Sequence, residues 1–477
     1  MKQIRIIYAL MLVAVIYSCD AWFEKELPKR QISAETVIVD QATAETALLG
    51  VYSYLGGYGV FSVYYLVDDA YRLGMLQGTY RGQNFERYLE LMSIPSEHDE
   101  LLTKWTTCSK MINAANHVLN SIDKVGDTHF VGNRKKEIIA EARFLRAFAQ
   151  LYLMKHYAFF WDIDSEFGPL MRREPSTLEN NSIKRSTVRD AYRMILEDLD
   201  YAINEAPDYK DAFRVSKGLA KGFKIEVLLL RGEDEDYSLV PQLADEVIND
   251  YGFALEKTFE DVFKNSYGSS EMMFSRYLSE KVLTDVDRNV SSIKKLMCGK
   301  YQPTEQYYSI FNAENDNRFQ YTFDSTMYES INSKVKTLIL KKLWREDGNC
   351  PMFYMRLAQI YLFKAEALAY NGATVGQVLE PLNKLRERSG NDVLKEEDYE
   401  DRDELMRVIF FETLREIGLE SGAEFYAAIR LKLSDGRRLL GEFNAVFQDD
   451  KQLAWQIPDK EVSYNNLMTP NPVYNVE

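Results

Sequence analysis

The sequence predicts a mainly α-helical protein of tetratricopeptide-like helical hairpins, with long irregular loops and a few short strands. Three observations predict this. At least seven segments place apolar residues at helical rather than alternating spacing. Most of them close on residues that cap helices. Between them run long aromatic-rich stretches whose Gly, Asn, Ser and Tyr content reads as ordered loop.

The elements follow in order. Lys2 and Arg5 precede an apolar run over residues 6–17, then the small polar Ser18. That is the layout of a secretory signal and is short for a membrane span. Ile16-Tyr17-Ser18-Cys19 resembles a bacterial lipobox, although Tyr17 is bulkier than usual there. Residues 1–18 are therefore expected to be a lipoprotein signal peptide and Cys19 the lipidated residue; an ordinary signal with a coincidental cysteine is the alternative. Each buried methylene of an acyl chain contributes on the order of 0.8 kcal/mol, so two or more chains anchor stably. No later stretch reaches the roughly 20 apolar residues of a membrane helix.

Residues 101–124 carry Leu102, Trp105, Met111, Ala115, Val118, Leu119 and Ile122 at helical spacing. In residues 135–157, Ile138, Ala142, Leu145, Ala149 and Tyr152 share one face, and the alanines let a partner helix approach. Helices are expected over 187–205, opened by Ser186 or Thr187, and over 214–231, closed by Gly232. Three more follow at 353–371, closed by Asn371-Gly372, at 376–389, closed by Gly390, and at 403–420. The stretches 52–90, 158–181, 251–352 and 432–477 read as the long loops. No strict 34-residue motif recurs, so a regular repeat is not established by periodicity alone.

The 477 residues carry a formal net charge of −15, and removing Lys2 and Arg5 with the signal takes it to −17. Such a chain has no basic patch to release counterions from phosphates, which argues against nucleic acid. Cys108, Cys298 and Cys350 are widely spaced, and whether any of them pair is not readable. The four histidines lie apart, with no HExxH, G-x-S-x-G, P-loop or dinucleotide fingerprint. The expectation is a protein that is not an enzyme and holds neither cofactor nor metal.

Six stretches in order resemble the SusD/RagB family, surface nutrient-binding lipoproteins of Bacteroidetes-type bacteria. They are Glu141–Phe148 (EARFLRAF), Ile195–Ala202, Ala244–Leu255 with Phe259 and Phe263, Arg356–Ala367 (RLAQIYLFKAEA), Leu382–Gly390, and Trp455–Glu461 (WQIPDKE). Gln359 and Gln456 depart from the family's usual Glu and Pro, and Glu416–Arg430 keeps Glu420 and Arg430 but loses other charges. The resemblance implies a SusD-like domain over 19–477, its N-terminal part about 19–232 and its C-terminal part about 250–477. It also implies an outer-membrane protein, lipid-anchored and facing outward, that hands nutrients to a SusC-like TonB-dependent transporter. Read from the residues alone, Glu141, Arg143, Arg146, Arg356 and Glu366 are inter-helix ion pairs. Trp105 and Trp455 are core anchors.

Sugar faces stack on aromatic rings, and sugar hydroxyls need amide, carboxylate or guanidinium partners. Residues 58–88 and 301–328 concentrate such groups among the chain's 31 tyrosines. The candidate ligand residues are Tyr64, Tyr65, Asp68, Asp69, Arg72, Tyr80, Arg81, Tyr301, Tyr307, Tyr308 and Arg318. More than half of the loop tyrosines are expected simply to pack loops onto helices. The expected ligand is a glycan or oligosaccharide, with peptides or other nutrients as alternatives. A tetratricopeptide adaptor that only joins proteins is the reading of a different class; Cys19 and the aromatic loops weigh against it.

Overall fold

A computed structural model describes residues 38–56, 63–78, 85–276, 301–312, 315–330, 333–340, 342 and 352–472. Its principal helices are α1 Gln41–Tyr52, α2 Val63–Leu73, α3 Asp99–Ile122, α4 Arg134–Tyr157, α5 Val188–Glu205, α6 Lys217–Arg231, α7 Asp234–Asp250, α8 Glu305–Asn312, α9 Leu357–Tyr370, α10 Val375–Arg388, α11 Arg402–Ile417 and α12 Ala423–Arg430. The strands among the described residues are β1 Leu76–Gly78, β2 Met272–Phe274, β3 Tyr301–Pro303, β4 Phe323–Ser330, β5 Ser333–Leu340 and β6 Met355–Arg356. They pair antiparallel as three separate two-stranded sheets, β1 with β3, β2 with β6 and β4 with β5.

The fold class is the expected one. α3 packs on α4, α4 on α5, α5 on α6, α6 on α7, α7 on α9, and α9 on both α10 and α11. This side-by-side array of helices is what amphipathic segments joined by short turns produce. The seven predicted segments are α3, α4, α5, α6, α9, α10 and α11, with ends shifted by a few residues. Thr187 caps α5 by accepting from the Asp190 amide, and Thr374 and Gln377 form a capping box on α10. α6 ends at Gly232, whose φ of +67° is the left-handed conformation that leaves a helix.

One core spans both halves of the sequence. Phe144 and Phe148 of α4, Phe223 of α6, Phe274 of β2 and Tyr354 meet with ring centroids mostly 5–6 Å apart. α6 approaches β6 and α9 so closely that a Cβ on Gly222 would lie 2.7 Å from Met355 Sδ. The C-terminal stretch folds back over α4: the Trp455 amide donates to the His156 carbonyl, and Asn471 Nδ2 donates to the carbonyls of Tyr157 and Trp455. Trp105 and Trp455 are buried, as expected of core anchors. Trp105 Nε1 donates to Glu461 at 3.0 Å.

The predicted ion pairs are largely present. Arg146 binds Asp198 of α5 through Nε at 2.7 Å and NH2 at 2.8 Å. Glu141 accepts from the Tyr52 hydroxyl at 2.6 Å and pairs with Arg134 at 2.9 Å. Glu366 holds Arg430 with both oxygens at 2.7 Å. Gln359, the family departure, closes the start of α9: its Oε1 accepts from the Arg356 amide and its Nε2 donates to Ser421.

Candidate functional site

α2 ends at Gly74, which has a φ of +82°. A Cβ there would lie 2.7 Å from the Phe443 carbonyl oxygen, so only glycine fits. The chain turns at once into β1, which pairs Leu76 with Pro303, Gln77 with Gln302 and Gly78 with Tyr301. Past β3, Thr304 sends its amide to the Met75 carbonyl at 2.8 Å and its hydroxyl to the Gly74 carbonyl at 2.9 Å. Its Oγ1 also accepts from the Tyr307 amide at 3.3 Å, starting α8. The two aromatic segments singled out in the sequence are thus joined by one small ribbon.

Asp68, Asp69 and Arg72 lie on the inner side of α2 and are buried, which corrects the expectation that they meet ligand. Asp68 Oδ2 lies 2.6 Å from Lys104 Nζ of α3. Asp69 binds Arg72 at 2.9 Å, and its Oδ2 lies 3.5 Å from His156 Nε2. Arg72 donates to the Leu453 carbonyl at 2.5 Å and stands 4.2 Å from the centroid of the Phe425 ring. Burial raises the Asp68 carboxyl to about 6 against the pull of Lys104. Burial also opposes the Asp69 charge, but His156, Arg72 and Lys155 outweigh it and hold Asp69 at about 2. Burial lowers the His156 imidazole despite Asp69. These groups fasten α2 to α3, α4 and α12.

Tyr307 and Arg318 need the same correction. Tyr307 is 1% exposed, its ring between Phe311 and Phe323 and its hydroxyl directed to the Leu414 carbonyl at 3.4 Å. Arg318 is fully buried, bound to Asp316 at 2.7 Å, Glu412 at 2.8 Å and Glu416 at 3.2 Å. Both segments do carry polar and aromatic groups, but these positions face the helices and are consumed there. Tyr308 is half-buried and packs edge-on against Phe319 at 5.0 Å. The main chain of Tyr64 and Tyr65 lies in the first turn of α2, and that of Tyr301 at the end of the ribbon. Tyr80, Arg81, Cys19, Cys298 and Cys350 lie outside the described residues. Cys108 is a buried free thiol.

Sequence reasoning missed how far the buried charges extend. Glu416 also meets Arg356 at 2.8 Å and Arg388; Glu412 also meets Arg386 at 2.6 Å and Arg415 at 2.8 Å. Arg356 adds Glu271 at 2.8 Å and Glu420 at 2.6 Å, and Lys342 joins at Glu420. The available signal was Glu412 and Glu416, one turn apart beside the apolar run Val408–Phe411. The cluster is internal, and its chemistry is structural. Among the described residues, no group of three or more His, Cys, Asp or Glu side chains is placed to hold a metal ion. No described helix is long and apolar enough to cross a membrane.

Two family models match in tandem. A SusD-like family, described as starch-binding and associating with the outer membrane, matches residues 24–224, and the SusD family matches 275–474. The chain belongs to the SusD/RagB family. This is a family of binding proteins and not of enzymes, described as associated with the outer membrane. A SusD-like protein of Bacteroides ovatus is 22% identical over 66% of this chain and 64% of its own length, so the chain spans just under two thirds of that relative. A SusD-like protein of Formosa agariphila is 23% identical over 99% of this chain and all of its own. The fold recurs in a SusD superfamily protein from Bacteroides thetaiotaomicron, with a TM-score of 0.76 at 20% identity over 91% of this chain and all of the other. A SusD-like carbohydrate-binding protein from Bacteroides vulgatus superposes with a TM-score of 0.68 at 18% identity, over 83% of this chain and 84% of the other.

Proposed function

We propose that this SusD/RagB protein is an outward-facing lipoprotein that binds a glycan beside the β1–β3 ribbon and passes it to a SusC-like TonB-dependent transporter. The ribbon carries the reading. It sets Gly78, which leads into Tyr80 and Arg81, opposite Tyr301, so two tyrosine-bearing segments distant in sequence leave one point of the fold. The family's starch-binding description and the carbohydrate-binding relative from Bacteroides vulgatus support a saccharide over a peptide. The apolar run before Cys19 supports the lipid anchor.

Aromatic stacking contributes about 0.5–1.5 kcal/mol per ring beyond area burial. A few platforms then give millimolar to micromolar affinity, about −4 to −8 kcal/mol, which suits a carrier that must release its cargo. Calorimetry of the full-length protein in detergent against a panel of neutral oligosaccharides tests this. Binding of at least one glycan is expected, weakened about tenfold or more by Tyr80→Ala or Tyr301→Ala at unchanged melting temperature. Wild-type affinity in both variants, or cleavage of the glycan above the buffer rate, overturns the reading.

A further inference from the structure

A groove of about 580 Å3 opens between the C-terminal end of α3, the N-terminal half of α4 and the segment 173–180. Asn120, Asp123, Arg143, Glu174, Thr177 and Asn180 are among its walls. Its volume falls within the range of small-ligand sites. It is also far from α2: Lys104, the partner of Asp68, and Asn120 lie on the same helix, separated by roughly 24 Å at 1.5 Å per residue.

Its wall is held by hydrogen bonds before any ligand arrives. Asn116 Nδ2 donates to the carbonyls of Arg172 and Glu174, the Ser176 amide donates to Asn113, and Asn180 Nδ2 donates to the Pro175 carbonyl.

The guanidinium groups here differ in what they lack. Arg146 is satisfied by Asp198 and by Asn116 Oδ1 at 2.8 Å. Arg173 donates to Glu197. Arg143, one turn before Arg146, makes the expected ion pair with the same carboxylate, but at longer range than Arg146. Arg143 NH1 comes only to 3.9 Å from Asp198 Oδ1, beyond hydrogen-bond reach. Its guanidinium lies over the Tyr201 ring, with Cζ 4.2 Å from the centroid. Its Nε is buried and has no hydrogen-bond partner among the described residues. The Nε is shielded, but the side chain as a whole is 32% exposed and lines the groove, so the outer edge of this planar cation can receive a carboxylate. The amides, the Thr177 hydroxyl and the Asp123 and Glu174 carboxylates around it offer partners to hydroxyl groups.

We infer that this groove is a second binding site that takes an acidic saccharide, a uronic acid residue whose carboxylate pairs with Arg143. The site shares with the proposed function only the premise that the chain binds sugars, and does not use the ribbon.

Calorimetry with the full-length protein separates the two, using trigalacturonate, its methyl ester and an oligoglutamate peptide. The acid should bind at least tenfold more tightly than the ester. Arg143→Gln should erase that difference, while Tyr301→Ala should leave it in place. Thr177→Trp, which fills the groove from its exposed rim, should abolish binding of the acid without altering α4, and stands in if Arg143→Gln does not fold. Equal binding of acid and ester, no binding of the acid, or unchanged acid binding in the two groove variants overturns the inference. So does oligoglutamate binding as tightly as the saccharide, or acid binding that disappears with Tyr301→Ala.

Discussion

The Thr304 hydroxyl donates to the Gly74 carbonyl at 2.9 Å, a bond between residues 230 positions apart. It closes the base of the β1–β3 ribbon, and the same oxygen caps the amide of Tyr307. Thr304→Val removes both and is expected to cost about 1–2 kcal/mol. Gly74→Ala adds a Cβ against the Phe443 carbonyl at positive φ and should cost at least as much. Neither residue is a proposed ligand contact, yet both variants should weaken glycan binding, because the ribbon sets how the two segments meet. Urea unfolding followed by calorimetry measures both effects. Wild-type glycan affinity in folded Thr304→Val would sink the idea that the ribbon organises the site.

Tyr301 and Tyr307 should behave oppositely, although they sit within one short stretch. Tyr307 is enclosed by Phe311, Phe323 and the Leu414 carbonyl, and truncating a buried ring of this size costs about 3–5 kcal/mol. Tyr307→Ala is therefore expected to lower the urea midpoint strongly. Tyr301→Ala should leave the midpoint nearly unchanged and reduce binding. If Tyr307→Ala keeps wild-type stability, the packing described for α8 is wrong.

The contrast shows what was legible in the sequence. Long helices with a continuous apolar stripe, such as α3, α4 and α5, declare themselves because periodicity and caps agree. α2 did not, because it emerges from a Gly- and Tyr-rich stretch that reads as loop. α7 opens on a run of acids and contains Pro241, which weakens its helical signal. The pairing of residues 76–78 with 301–303 was not legible, although both stretches were singled out by their composition; it depends on long-range register that no local pattern encodes. Which polar side chains face inward was the least legible. Asp68, Asp69, Arg72 and Arg318 look like ligand groups in a linear reading, and only packing shows their partners to be internal.

The buried charges of α11 should set the acid limit of stability. Burial opposes the Glu412 charge, but Arg318, Arg415 and Arg386 hold its carboxyl below the ordinary value of 4.5. Glu416 is held at about 2, with Arg388, Arg356 and Arg318 prevailing over burial. A folded pKa below the unfolded one means stability that is present above about 4.5 and lost as pH falls toward 2. Arg318→Met leaves Asp316, Glu412 and Glu416 short of a cation and should cost about 3–5 kcal/mol at neutral pH. It should also flatten the acid limb of a stability-versus-pH curve. An unchanged acid limb would show that other carboxylates govern acid unfolding.

Cys19→Ala tests the anchor. With the thiol gone, the protein should leave the outer-membrane fraction or remain as uncleaved precursor, since no described helix can replace the acyl chains. Mass spectrometry of mature wild-type protein should show acylation at Cys19. An unmodified Cys19 there contradicts the lipobox reading.

Glu424, at the start of α12, should work in the direction opposite to Glu416. Its Oε1 accepts from the Leu419 amide at 2.8 Å, while Oε2 is buried without a partner among the described residues. Burial raises the carboxyl from 4.5 to about 7; hydrogen bonds from the Leu419 and Glu424 amides and the charge of Lys342 offset this in part, and Asp69 adds to it. A carboxyl with a raised folded pKa contributes stability that is complete below about 4.5 and lost as pH rises through about 7. Glu424→Gln keeps the acceptor for Leu419 and cannot ionise. The variant should match wild type near pH 4.5 and exceed it at pH 8, by at most about 3 kcal/mol. Asp68, raised to about 6, should still impose a similar slope at lower pH in both proteins, so the difference between them should be greatest above pH 6. Chemical denaturation at pH 4.5, 6 and 8 reads it directly. Equal stabilities at pH 8 would mean that Glu424 keeps its charge at no cost, and that a partner for Oε2 exists in solution.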